Sequence, residues 1–304
     1  MVELTPHQTT PLQAIHHPLF SQAKINVWVK RDDLNHPLIQ GNKYHKLYFN
    51  LLKAKEKNCD TLISFGGAYS NHIAALSLAG KEAGFKTIGI IRGNELENHP
   101  EKWSHTLQQA QQNDMQFIFI NRQAYRNKNQ PTFLTELKSH NPTGFIIPEG
   151  GTNALAIKGF QQTVQDINQQ CTQFTHIFTA VGTGGTLAGL AEYTDKQKKI
   201  IGIATLKQAE YLTSDIKQLT DQQNWQLLTQ YAGNGYAKSN DELIKTQGWF
   251  ENSFGIKLDP IYTNKMVFGF MEELKKGNIA KYSNVILYHS GGLQGIKPTP
   301  LGTF

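Results

Sequence analysis

Residues 176–189 read HIFTAVGTGGTLAG. An apolar run with β-branched and aromatic residues stops at Gly182, and a run of small and apolar residues follows Gly185. The stretch therefore reads as a buried strand, a glycine turn and the start of a helix. Gly182, Gly184 and Gly185 let backbone N–H groups approach an oxyanion, the helix start adds a favourable dipole, and Thr183 and Thr186 add hydroxyls. It is not a dinucleotide fingerprint, because Leu187 stands where the last glycine is required. It is not a P-loop either, because no lysine follows the final glycine. The competing reading is a tight turn whose glycines only supply positive φ. Two threonines and three glycines at one helix start favour a phosphate seat.

The same grammar recurs along the chain. TLISFG (61–66) runs into FGGAYSNH and a helix over 71–84, and QGNKYHK (40–46) opens a helix over 43–57. NVWVKRDD (26–33), KTIGIIRG (86–93), MQFIFINR, GFIIPEGG, KKIIGIATLK and VILYHSGG (285–292) read as further strands, with helices between them, one of them near 153–168. Strands alternating with helices predict an α/β protein with mainly parallel sheets covered on both faces. Ligands of such folds sit beyond the C-terminal ends of the strands, so the glycine turns are the places to look.

Within those turns the residue types narrow the chemistry. Lys43 and Lys46 lie off the apolar stripe of Tyr44, Leu47, Tyr48 and Leu51. A solvated basic face is the ordinary reading of such lysines. A lysine at a glycine turn near a phosphate could instead form a Schiff base, and spacing does not choose Lys43 over Lys46. Ser70 is a natural N-cap. Asn71 and His72 beside it favour an anion seat.

Composition excludes several classes. The chain has 304 residues, 39% apolar and 18% charged, which fits one or two globular domains. A net charge of +6 and a pI near 9.1 come from scattered lysines and arginines, so nucleic-acid binding is not expected. Cys59 and Cys171 make neither a disulfide framework nor a zinc pattern and read as small core residues. The 11 histidines form no HExxH or Cys/His cluster, so no metal is expected. No membrane-length apolar run and no signal-peptide core are seen, and a cytoplasmic location is the default expectation.

Taken in order, KRDD (30–33), GNKYHKL (41–47), GGAYSNH (66–72), EGGTNALAIKG (149–159), GTGGTLAG (182–189), LDPIYTNK (258–265) and HSGG (289–292) carry a resemblance. The chain resembles the pyridoxal-phosphate (PLP) enzymes that include D-cysteine desulfhydrase and 1-aminocyclopropane-1-carboxylate (ACC) deaminase, of the tryptophan synthase β-like fold. The resemblance spans about residues 26 to 292. It implies two three-layer α/β/α domains with PLP in the cleft between them: residues 1–45 with 155–304 as the larger, PLP-binding domain, and 46–154 as the smaller. It implies Lys43 as the Schiff-base lysine and Asn71 as the partner of the cofactor's 3-hydroxyl. Gly182, Thr183, Gly184, Gly185 and Thr186 would hold the phosphate, and Ser290 the ring nitrogen. Ser70 would contact the substrate carboxylate and relay a proton, Tyr69, Asn71, His72, Tyr236 and Tyr262 would line the substrate pocket, and Tyr262 would also act as a catalytic residue that positions or protonates the leaving group. A homodimer acting on a small amino acid is the family expectation.

Two positions set the expected reaction. The resemblance implies Glu after the DPxY tyrosine and Leu before the final Gly-Gly in ACC deaminases, and hydroxyl residues at both in desulfhydrase-like members; Thr263 and Ser290 stand here. A serine hydroxyl can bond a pyridine nitrogen without forcing its protonation, whereas a carboxylate favours the stronger electron sink. Expelling a β-thiolate needs less help than opening a cyclopropane. The expectation is therefore β-elimination from D-cysteine, giving pyruvate, sulfide and ammonia. ACC deamination to 2-oxobutanoate is the enzymatic alternative, and a non-catalytic phosphate- or nucleotide-binding protein the alternative of another class. The chain departs from the family pattern at His45 (usually Arg), Tyr48 (usually Glu) and Tyr69 (usually Gln).

Overall fold

The computed structural model describes residues 8–37, 39–235 and 237–293. These form two sheets. The larger holds six strands in the order β1 (Leu12–Ile15), β2 (Asn26–Lys30), β10 (Asn284–Tyr288), β7 (His176–Val181), β8 (Lys199–Ala204) and β9 (Trp225–Leu228). The smaller holds β5 (Gln116–Ile120), β4 (Lys86–Arg92), β3 (Thr61–Gly67) and β6 (Gly144–Ile146). Every pairing is parallel except β1 with β2, which is an antiparallel edge.

Strands covered on both faces must be apolar on both faces. In β7, successive residues serve opposite sides: Ile177 and Val181 join one core with Leu187 and Ile286, while Phe178 and Ala180 join another with Phe250 and Phe270. In β3, Leu62 and Ile63 divide the smaller sheet's two cores in the same way. This is the two-residue strand period made visible as two packing layers.

The structure differs from the sequence reading in several elements. The helix expected near 153–168 is two, Ala154–Lys158 and Gln161–Gln170. The break falls at Gly159, where a Cβ would lie 2.1 Å from the His45 carbonyl oxygen, so the Asn42–Glu56 helix packs against bare backbone there. Strand β2 ends at Lys30, and Asp32 begins a 3-10 turn. Strands β1 and β9 and the helices Asp241–Phe254 and Thr263–Lys275 were not foreseen. Cys59 and Cys171 are only partly buried at the core margins. No helix among the described residues is long and apolar enough to cross a membrane.

Candidate active site

The C-terminal ends of both sheets face one cavity of about 810 Å³. Turns after β3, β7 and β10 and the helix starts that follow bring Ser70, Asn71, His72, Gly182, Thr183, Gly184, Thr186 and Ser290 to its wall, the Asn42–Glu56 helix adds Lys43 and Lys46, and Tyr262 joins from just before the Thr263–Lys275 helix. Gly185 lies behind this wall, where a Cβ would meet Thr152 Oγ1 at 2.8 Å and Lys46 Nζ at 3.1 Å. Tyr69 is 55% exposed and does not line the cavity. Tyr236 lies outside the described residues.

The helix Gly185–Tyr193 starts from Gly184 at φ +81° with no side-chain cap. Its first N–H groups therefore lack the side-chain acceptor that usually satisfies them. Lys46 converges on the same turn. It is 3% exposed, and its Nζ donates to Gly150 O (3.3 Å) and Thr152 Oγ1 (3.1 Å). Thr152 Oγ1 in turn shares a 2.6 Å hydrogen bond with Thr183 Oγ1. Burial, and then Lys43, lower the Lys46 pKa well below its ordinary value, and a dianion at the uncapped helix start would favour its charged form.

Lys43 Nζ donates to Asn42 Oδ1 at 2.8 Å, and Asn42 Nδ2 donates to Thr186 Oγ1 at 2.8 Å. Burial lowers the Lys43 ammonium to about 8, against an opposing pull from the Asp259 carboxylate. Asp259 is itself pushed up to about 7 by burial, although it accepts from the Tyr262 N–H (2.5 Å) and Ile261 N–H (3.1 Å). The two lysines are thus not a solvated basic face: Lys46 is buried, and Lys43 borders the cavity.

Ser70 caps the Asn71–Ala83 helix, its Oγ accepting from the Ile73 N–H at 3.3 Å. His72 turns beneath the turn to Ser64 Oγ (2.8 Å), whose proton goes to the Ile147 carbonyl at 2.8 Å. His72 Nε2 is then the donor, which leaves Nδ1 as an acceptor. That Nδ1 is buried and has no partner among the described residues. Burial, then Lys43 and Lys46, hold the imidazole well below its ordinary pKa, so it is neutral.

His45, one of the departures noted in the sequence, sits behind the site. Its Nε2 lies 2.8 Å from Asp32 Oδ2, which also accepts from Tyr288 OH at 2.6 Å. Burial would raise Asp32, but the His45 hydrogen bond and charge and the Lys30 charge hold it at about 2. The network ties the Lys43 helix to β10.

The model of the family described as pyridoxal-phosphate dependent enzyme matches residues 4–291. The chain belongs to this family. As a PLP-dependent enzyme it is similar over its whole length to proteins of the ACC deaminase/D-cysteine desulfhydrase group. A Pyrococcus abyssi protein provisionally named a 1-aminocyclopropane-1-carboxylate deaminase is 30% identical, over 97% of this chain and 92% of its own. The mitochondrial bifunctional D-cysteine desulfhydrase/1-aminocyclopropane-1-carboxylate deaminase of Arabidopsis thaliana is 26% identical, over 95% of this chain and 78% of its own. The crystal structure of an ACC deaminase homologue superposes with a TM-score of 0.82 at 27% identity, covering 97% of this chain and 92% of that one. The fold of this PLP-dependent enzyme is thereby the tryptophan synthase β-like one.

The residues present fit PLP. Gly182 has no side chain to fill the cavity wall, and a Cβ there would press to 3.2 Å from the Tyr262 ring. The uncapped helix start and Lys46 suit a phosphate dianion, and a half-buried lysine of depressed pKa at the cavity suits an aldehyde. Asn42, Thr152 and Asp259 were quoted within the motifs, but their types gave no role. Only their contacts single them out.

Proposed function

We propose that this PLP-dependent enzyme is a lyase that expels the β-substituent of a small amino acid, with D-cysteine as the leading substrate and pyruvate, sulfide and ammonia as products. The observation that carries the reading is the placement of Thr263 and Ser290. Ser290 lines the cavity. Thr263 is fully buried, its Oγ1 accepting from the Asp259 N–H (2.7 Å) and donating to the Asp259 carbonyl (3.2 Å). Neither position offers a carboxylate to protonate a pyridine nitrogen. A hydroxyl there suits the easier expulsion of a thiolate. We also divide the chain into 1–45 with 155–304, and 46–154. Strands β3 to β6 make up one sheet and the remaining strands the other, which supports the division.

Bound PLP supplies an electron sink for the charge that develops at the substrate α-carbon. Around it the chain's own groups take defined parts in this proposal. The N–H groups of the Gly182–Thr186 turn, with Lys46 Nζ, hold the phosphate. Asn71 Nδ2 donates to the ring hydroxyl, and Ser290 meets the ring nitrogen. The helix start at Ser70–His72 takes the α-carboxylate, with Ser70 Oγ donating to it. Lys43 Nζ, when neutral, accepts the α-proton, as a base with pKa near the working pH does best. Tyr262 lines the cavity, and in this proposal its hydroxyl protonates the departing sulfur.

The names of the relatives favour ACC deamination as a second reading. The purified protein loaded with PLP is to be assayed for pyruvate and sulfide from D-cysteine and L-cysteine, and for 2-oxobutanoate from ACC. Faster turnover of D-cysteine, abolished by Lys43→Ala, is expected. Faster 2-oxobutanoate release would install the second reading. A PLP-loaded protein that forms neither product would remove both.

A further inference from the structure

Lys43 and Lys46, assigned above to the cofactor, are not the only basic groups at the cavity. Its described lining also holds Arg92, Arg122, Arg126 and Lys128, against two carboxylates, Glu149 and Asp215. The outer cations are not equivalent. Lys128 Nζ lies 3.2 Å from Glu149 Oε2, and Arg122 Nη2 lies 3.6 Å from Glu95 Oε1. Among the described residues, Arg92 and Arg126 meet no carboxylate at ion-pair distance.

Arg92 is an exposed side chain at the edge of the cavity. Its guanidinium lies 5.6 Å from the centre of the Tyr125 ring, and Lys128 Nζ lies 4.8 Å from the same ring. A Cβ on Gly67 would sit 3.3 Å from Arg92 Nη2, so the bare glycine leaves room for the fork to cross the turn. The Gly67 carbonyl accepts from the Ser70 N–H at 3.0 Å. The guanidinium thus stands within one turn of the residue assigned to the α-carboxylate. A guanidinium matches a carboxylate or phosphate through two parallel N–H bonds.

We propose that Arg92, with Arg126 also lining the cavity, reads a second anionic group on the side chain of the substrate. The substrate class is then a small amino acid carrying a side-chain carboxylate, phosphate or sulfonate. This rests on the reading of the cavity as an amino-acid site, and it displaces D-cysteine, whose side chain carries no such group, as the preferred substrate. Aspartate and asparagine, in both stereoisomers, are near-isosteric probes that differ in this charge. Equilibrium titration of the PLP-loaded protein, followed by its visible absorption, measures their affinities without turnover.

The wild type is expected to bind aspartate at least tenfold more tightly than asparagine, and less selectively at high salt, since mouth-exposed charges are screened. Arg92→Gln brings the ratio close to one. Arg92→Lys keeps the charge without the fork and retains part of it, and Arg126→Gln lowers it by a smaller factor. Retained PLP absorption and unfolding temperature show that each variant is folded. Equal or tighter asparagine binding by the wild type, or an undiminished ratio in folded Arg92→Gln, overturns the proposal. D-cysteine turnover is read separately on the same preparation. An aspartate preference without any pyruvate from D-cysteine upholds this inference and removes D-cysteine as the substrate.

Discussion

Asn42 donates its side-chain amide to Thr186 Oγ1 at 2.8 Å, joining residues 144 positions apart in the chain. The same side chain accepts from Lys43 Nζ, so one amide links the lysine to the phosphate turn. Asn42→Leu leaves a hydroxyl and a buried ammonium without this partner. A lost hydrogen bond to a buried polar group costs about 1–3 kcal/mol, so PLP affinity is expected to fall by roughly tenfold or more. Equilibrium dialysis against PLP measures it, and an unchanged affinity would remove the link from the site.

Lys43 and Lys46 separate by what they touch. Lys46 Nζ already donates to Gly150 O and Thr152 Oγ1 beside the uncapped helix, whereas Lys43 Nζ donates to its neighbour's amide at the cavity. Lys46→Met is expected to weaken PLP binding by on the order of tenfold, as loss of a charge-assisted contact does. It should leave the visible band and its removal by borohydride intact. Lys43→Ala should abolish the borohydride-fixed adduct. Mass spectrometry of the reduced, digested protein identifies which peptide carries the cofactor.

The pH profile follows from the Lys43–Asp259 pair. Burial lowers Lys43 to about 8, and the Asp259 charge opposes that shift. Only the neutral amine accepts a proton, so kcat is expected to rise with pH and level off above about 8. A negative neighbour favours the ammonium. Removing it in Asp259→Asn lowers the Lys43 pKa further, so the rising limb moves to lower pH, by roughly half a unit or more. A limb that stays or moves upward would show that Asp259 does not act on Lys43.

Ser70 combines two roles that different substitutions separate. Its Oγ caps the Asn71–Ala83 helix through the Ile73 N–H. Ser70→Ala loses both roles and is expected to cost about 1 kcal/mol of stability, with a KM increase of about tenfold. Ser70→Asp restores the cap, because aspartate is among the best N-cap residues. It should recover the unfolding temperature, yet bind substrate worse than Ser70→Ala, because it opposes a carboxylate with a carboxylate. Thermal unfolding and steady-state kinetics on both variants separate the roles.

Much of this protein is legible in one dimension. Continuous apolar runs ending at glycine turns announced parallel strands, because strands covered on both faces must be apolar throughout. GNK, GGAYSN, GTGGT and HSGG marked the turns, since only glycine allows the required φ or approach. Gly41 illustrates it, with φ +68° and a would-be Cβ 1.9 Å from the Ser290 carbonyl oxygen. The two missed strands are short: β1 is a four-residue edge and β9 has four residues as well.

What the sequence by itself determined is the fold class, the family and the set of turns that make the cavity, because local pattern and glycine placement are properties of the chain. What only the tertiary structure decided is which side chains act within it. Lys43 and Lys46 are alike in one dimension. They differ because Gly150 and Thr152, more than a hundred positions away, converge on Lys46 alone. Likewise Asp259 reaches a pKa near 7 and His72 stays neutral through burial, and Arg92 lies over Gly67 because β4 pairs with β3. Burial and long-range neighbours set charge and proton affinity, and both come from the packed fold rather than from residue identity.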